Sequence, residues 1–223
     1  MLCFFMFAAI IIGVTTVEDY QCEGGQLTPK QREAIVKQNN KLRSQLVHGR
    51  FKDKFGEFMP RGKNVLKMRW SCSLEHSAQK RADRCVSGDP PKEQRKDIGE
   101  NIYDFWSSAG VEALRRYAGT KAGESWWSEL PKRYGSNPSN NLTAQVSRQD
   151  VLHFTQMAWG KTYKIGCGIA TKCNGGRKLM VVCHYRPAGN MRNKLIYEIG
   201  EPCRKNSDCH TEKCSVKYGL CKK

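Results

Sequence analysis

The order of patterns along the chain predicts an α+β domain, helices packed on a small antiparallel sheet, followed by a short disulfide-rich C-terminal tail. Three observations carry this. Apolar residues recur at helical spacing early in the chain. Two β-rich runs, "KIGCGIATKC" and "RKLMVVCHYRP", flank the tight-turn sequence "NGG". From Gly200 onward four cysteines crowd into a segment with almost no apolar residues, which needs covalent staples to hold a shape.

The 223 residues suit one medium domain with a small appendage. Residues 1–16 read as a secretory signal peptide. Residues 2–14 are an apolar run too short to span a bilayer, Thr15 and Thr16 offer a cleavage region, and charge follows at Glu18 and Asp19. No Lys or Arg precedes the run, which leaves an uncleaved anchor as the alternative. No other segment is apolar for long enough to cross a membrane. Residues 22–199 form the main domain and 200–223 the tail.

Cysteine usage agrees with export. Of eleven cysteines, Cys3 lies in the leader. The other ten are an even set, read as a disulfide framework: Cys22, Cys72, Cys85, Cys167, Cys173, Cys183, Cys203, Cys209, Cys214 and Cys221. No CxxC pair suggests a zinc finger, and paired thiols leave no cysteine nucleophile.

"LTPKQREAIVKQNNKLRSQLVHG" is a helix with Thr28 as cap, Pro29 at its first position, Gly49 past its end, and Ile35, Asn39, Leu42 and Leu46 at helical spacing. "SLEHSAQKRADRC" is a second helix, with Leu74, Ala78, Ala82 and Cys85 on one face and His76 on the surface. Residues 107–130 read as helical, broken by Gly110, Gly119 and Gly123. Trp126 and Trp127 point about 100° apart on a helix, so one of them is expected to pack inward. "YGSNPSNNLT" is a loop carrying the glycosylation sequon at Asn141. "SRQDVLHFTQMAW" is a further short helix. Its His153 opens an apolar turn, where a metal ligand, a catalytic base and a satisfied core histidine are all open roles.

The formal charge is +17. Residues 30–69 hold twelve Lys or Arg against three Asp or Glu, whereas residues 85–135 balance at eight each. A basic face on the N-terminal third follows, suited to sulfated glycans or anionic surfaces; plain solubility is the alternative. No nucleic-acid module is present, so nucleic acid is not an expected partner.

"HFTQMAWGKTYKIGCG" and "MVVCHYRPAGNM" resemble the two signature motifs of the CAP superfamily, which comprises cysteine-rich secretory proteins, venom allergens and plant pathogenesis-related proteins. "NNKLRS", "GENIY" and "WWSE" are lesser matches in the same order. The tail style "DCHTEKC...GLC" resembles the venom allergen-like proteins that parasitic nematodes secrete. The resemblance implies a three-layer α-β-α sandwich and a cleft with two histidines and two glutamates. Glu100, Glu129 and His153 match three of these. Asp89 stands where the other histidine is expected, and Asn39 stands where many relatives have histidine.

The resemblance also implies a Cys167 to Cys183 bridge. Cys72 is then expected to reach Cys173, and by elimination Cys22 joins Cys85, with the tail cysteines paired among themselves. With one imidazole in the cleft, His153 is expected to pair with a glutamate. No metal site is expected (His153, if any), and no cofactor is required beyond a weak divalent cation in the cleft. The sequence has no Gly-x-Ser-x-Gly or His-Glu-x-x-His motif, so no enzyme is expected; a metal-dependent hydrolase is the minor alternative. The function implied is a secreted effector that binds a sterol or fatty acid, with Tyr103, Phe105, Trp106, Trp126 and Trp127 as candidate walls. The alternative is a host-receptor or sulfated-glycan binder without lipid carriage.

Overall fold

The computed structural model describes residues 20–88 and 96–223. The leader and Asp89 lie outside the described residues. The elements are α1 (Pro29–Val47), β1 (Gly62–Lys63), β2 (Arg69–Trp70), α2 (Cys72–Ala82), β3 (Gly99–Trp106), α3 (Ala118–Trp127), α4 (Glu129–Arg133), α5 (Ala144–Ser147), α6 (Leu152–Ala158), β4 (Lys164–Lys172), β5 (Lys178–Arg186), β6 (Glu198–Ile199), β7 (Cys214–Ser215) and β8 (Leu220–Cys221). Among the described residues no helix is long and apolar enough to cross a membrane.

The central sheet has the order β2-β4-β5-β3. β4, β5 and β3 are antiparallel, and β2 adds a short parallel edge. Strand alternation sends Met180, Val182 and Ile102 to one face, where they meet Ala78 and Ala82 of α2. It sends Val181, Cys183 and Tyr185 to the other face, into the core built with α1, α3 and α6. The result is the expected three-layer α-β-α sandwich. Glycines let α2 lie directly on β4: a Cβ on Gly166 would sit 2.2 Å from the Glu75 amide nitrogen, and one on Gly168 would sit 2.3 Å from Gln79 Cα.

α1 starts as the sequence predicts, with a Thr28–Gln31 capping box and Pro29 in the first turn. Gly119 and Gly123 do not break α3. They bring it against α1, since Cβ atoms there would meet Ile35 Cδ1 at 2.5 Å and Gln38 Oε1 at 2.4 Å. Both tryptophans at its end are buried, at 3% and 5% exposure. This corrects the expectation that one packs inward. α3 is covered on two sides, so Trp127 packs on Phe51 and Phe154 while Trp126 stacks on His153. The hairpin between β4 and β5 turns through Asn174 and Gly175, both at positive φ.

Two disulfide pairings differ from expectation. Cys167–Cys183 and the tail-internal pairing are as expected, the latter as Cys203–Cys214 and Cys209–Cys221. However, Cys72 bonds Cys22, and Cys85 bonds Cys173, each with Cα atoms 5.4 Å apart. The reason is the direction of α2. Its first turn lies over Gly166, its Ala82 packs in one cluster with Ala170 and Cys173 at the far end of β4, and eleven residues of helix span about 16 Å. A bridge needs Cα atoms within about 7 Å, so Cys72 at the start of α2 reaches only the N-terminal segment, while Cys85 beyond its end reaches only the hairpin turn.

The tail docks on the main core. Leu220 is fully buried in it, and the Lys67 amide donates to the Cys221 carbonyl at 2.7 Å.

Candidate functional site

α6 begins without a side-chain cap of its own at Val151, leaving its first amides in need of acceptors. Glu129, the first residue of α4, supplies one. Its Oε2 accepts the Phe154 amide at 2.9 Å, and its Oε1 lies 2.6 Å from His153 Nδ1. The far end of α6 is fixed by Arg43. This fully buried guanidinium donates to the carbonyls of Leu66, Met157, Trp159 and Thr162 at 2.6–2.8 Å. Burial lowers its pKa to about 9, so it stays protonated at neutral pH. The His153 ring is covered on one face, where Trp126 stacks on it with centroids 6.0 Å apart, and the side chain remains 41% exposed.

Glu100 pairs with a second histidine. It faces His184 in the β3–β5 register, and its Oε2 lies 2.9 Å from His184 Nε2 and 3.7 Å from Arg81 Nε. Asn101, the next residue on β3, donates to the His153 carbonyl. Alternation therefore turns Glu100 to the α2 face, away from that carbonyl. Two His–Glu pairs result, His153 with Glu129 and His184 with Glu100, and no described hydrogen bond or ion pair joins them.

Sequence reasoning missed His184. Its signal is the strand register, which places it opposite Glu100, and β3 itself is not announced by any alternation in "GENIYDFW".

Ser77 Oγ lies 2.7 Å from His184 Nδ1, which aligns Ser77, His184 and Glu100 in the order of a hydrolytic triad. The chemistry does not follow. His184 and the Glu100 side chain are 5% and 1% exposed. Ser77 Oγ also lies 3.0 Å from the Leu74 carbonyl, in mid-helix, where backbone amides are spent on α2 itself. An acyl-transfer site needs an accessible hydroxyl and free amides for the oxyanion; this line of groups is a strut between α2 and the sheet.

A metal finds few uncommitted donors among the described residues. Both Glu129 oxygens and both His184 nitrogens already have partners, while Glu100 Oε1 is buried without one. Among the described residues, the one group of three ligand-type side chains with atoms close enough to share an ion is Cys203, Cys209 and Cys214, all in disulfides. Asn39, in place of a histidine, is buried and donates to the Ile35 carbonyl. Asn141 is half-buried in the loop between α4 and α5.

A groove of about 880 Å³ opens between α1 and the segment leading into α3. Ile35, Ile169, Ala34 and Gly119 form its apolar part, and three cations, Lys30, Arg115 and Arg116, lie on its lining with one carboxylate, Glu112. Its size falls in the range of small-ligand sites. None of the five aromatic residues expected as walls lines it. Trp126 and Trp127 are core, Tyr103 packs against the core, and Phe105 and Trp106 are exposed at the end of β3.

The family described as CAP, the cysteine-rich secretory protein family, matches residues 36–185. The solved structure of BmVAL-1 is 64% identical, with a TM-score of 0.90, covering 92% of this chain and 99% of that one. The crystal structure of NaASP2 with Zn2+ is 35% identical, with a TM-score of 0.78, covering 90% of this chain and 100% of that one. Ancylostoma secreted protein of Ancylostoma caninum is 35% identical over 198 residues, 87% of this chain and 45% of that protein. The chain spans about half the length of the curated relatives it matches first.

Proposed function

This chain belongs to the CAP family, the cysteine-rich secretory proteins, and from that premise we propose a secreted, non-enzymatic effector of the venom allergen-like type that carries a small lipid. The observation that carries the reading is the groove between α1 and α3, floored by Ile35 and Ile169. An apolar floor and three cations against one carboxylate, Glu112, suit an amphiphile with an anionic head, so a fatty acid is favoured over a sterol. Hydrocarbon would lie on the isoleucines and its carboxylate beside Arg115, Arg116 or Lys30. Burial of each methylene contributes about 0.8 kcal/mol, enough for micromolar binding by a long chain once association costs are subtracted.

Export fits five disulfides among the described residues and the apolar leader. A host or extracellular protein is the partner whose response the effector would change. The two His–Glu pairs then serve as architecture, with His153 available at most as a weak single-imidazole ligand, a reading motivated by the relative solved with Zn2+. The test is mass spectrometry of lipid extracted from the purified secreted protein. A stoichiometric fatty acid supports the reading. A protein that yields no lipid, and takes up none after delipidation, removes it.

A further inference from the structure

A row of like charges crosses the sheet at the open end of the β4–β5 hairpin. Arg69 on β2 stands opposite Lys164 on β4, which stands opposite Arg186 on β5. Residues facing each other on paired strands share a face, and strands lie about 4.8 Å apart, so three cations occupy roughly 10 Å. Lys67 lies two residues before Arg69, just outside β2.

The tail extends this row. The Cys221 carbonyl accepts the Lys67 amide, and Leu66 pairs with Cys221. That docking brings Lys223 to within 5.1 Å of the Tyr163 ring centre, where Arg69 and Lys164 already lie at 5.2 and 5.8 Å. The tail's Tyr218 ring carries Lys67 at 5.2 Å. Cation–π contact holds these long side chains in place.

Like charges facing each other across strands are destabilising. Arg186 has Asp97 at 4.0 Å. Lys67, Arg69, Lys164 and Lys223 have no ion-pair partner among the described residues. The arrangement is a line of five cations, four of them without a carboxylate partner among the described residues, and a line of anions relieves it.

We propose that this strip binds a sulfated linear polysaccharide, with sulfates on successive sugars meeting successive cations. A bilayer is the poorer fit, because membrane-surface binding combines cations with apolar side chains that enter the acyl boundary. The exposed large aromatics Phe105 and Trp106 lie at the opposite end of β5, in register with Leu179 and Lys178. Val216, beside Lys217, is an exposed aliphatic near Tyr218. The strip lies partly outside residues 30–69, where composition alone placed the basic face. It draws on both hairpin strands and on the tail, and it shares no residue with the groove lining.

The experiment uses the full chain with its disulfides intact and heparin as the probe. Wild type binds, and Arg69→Gln with Lys164→Gln weakens binding about tenfold, ~1.4 kcal/mol, with elution at lower salt. The control removes the same charge at the other end of the hairpin, Lys172→Gln with Arg177→Gln, about 26 Å along β4; it elutes with wild type. Equal loss in both double variants would reduce the effect to net charge and overturn the site, as would failure of wild type to bind heparin. Retention on phosphatidylserine vesicles that the strip variant alone loses, with heparin binding unchanged, would overturn it in favour of a lipid surface. Both variants keep the groove intact, so their fatty-acid uptake equals wild type whichever way heparin decides.

Discussion

Glu129 divides its carboxylate between a side chain and a backbone: one oxygen lies 2.6 Å from His153 Nδ1, and the other accepts the Phe154 amide at 2.9 Å. α6 thus borrows from α4 the cap that Val151 cannot give. Hydrogen bonds to a charged group contribute about 1.5–3 kcal/mol, so Glu129→Ala should destabilise the fold by about 2–3 kcal/mol and Glu129→Gln by less. Urea unfolding measures both. A loss under about 0.5 kcal/mol for the alanine variant would mean α6 is held by packing and Arg43 alone.

Gly168→Ala should be among the most damaging single-methyl additions in the chain. The new Cβ would meet backbone atoms of α2, Gln79 Cα at 2.3 Å and its nitrogen at 2.4 Å. No side-chain rotation relieves that contact, so α2 must lift from the sheet at a cost of about 1–3 kcal/mol or more. Gly56→Ala is the comparison. It meets nothing within 4 Å but has φ +83°, so its loss reports backbone strain alone, about 1 kcal/mol. Equal melting temperatures for the two variants would contradict the close seating of α2.

Alkaline pH should unfold the protein through its buried phenols. Burial pushes Tyr134 up to about 12, and burial pushes Tyr185 and Tyr197 higher still. Unfolded tyrosine ionises near 10, so the stability these groups contribute is whole below pH 10 and is lost as pH rises towards 12. Arg43 works the other way: burial lowers it to about 9, and the cost of its buried charge fades above that pH. Near pH 11 the fold holds phenol protons that the unfolded chain has largely lost, so stability falls as pH rises through this range. Thermal unfolding at pH 9, 10 and 11 checks the sign. Phenolate absorbance that develops fully below pH 11 while the fold persists would show these tyrosines to be accessible.

Zinc should bind weakly. His153 offers one imidazole outward, and its carboxylate partner is committed to the Phe154 amide. Tight sites use three or four such ligands. Asp89→His should raise zinc affinity at least about tenfold, ~1.4 kcal/mol, measured by calorimetry. Sub-micromolar binding by the unaltered protein, lost in His153→Ala, would show that one histidine suffices.

The α+β class and most helices were legible in the sequence because caps, helical spacing and the NGG turn are local signals, as at Thr28 and Asn174, whereas the three-layer arrangement came from the resemblance to the CAP motifs. β3 was not, because Gly99–Trp106 alternates only once paired with β5, and with it went His184. The partners of Cys72 and Cys85 depend on which way α2 runs along β4, a tertiary fact that spacing does not carry. The same limit applies to Trp126 and Trp127. Two-sided burial of α3 follows from Gly119 and Gly123 against α1, which a single-helix pattern reads as breaks.

The central claim is that the groove between α1 and α3 holds a fatty acid, and Ala34 tests it. This residue is exposed on α1 and lines the groove without entering the core, so Ala34→Trp fills the space and leaves the fold intact. Uptake of a labelled fatty acid by delipidated protein is the measurement. The account predicts saturable, near-stoichiometric uptake by wild type and a loss of at least about tenfold in Ala34→Trp at unchanged melting temperature. Equal uptake by the two proteins, or none by wild type, would contradict it.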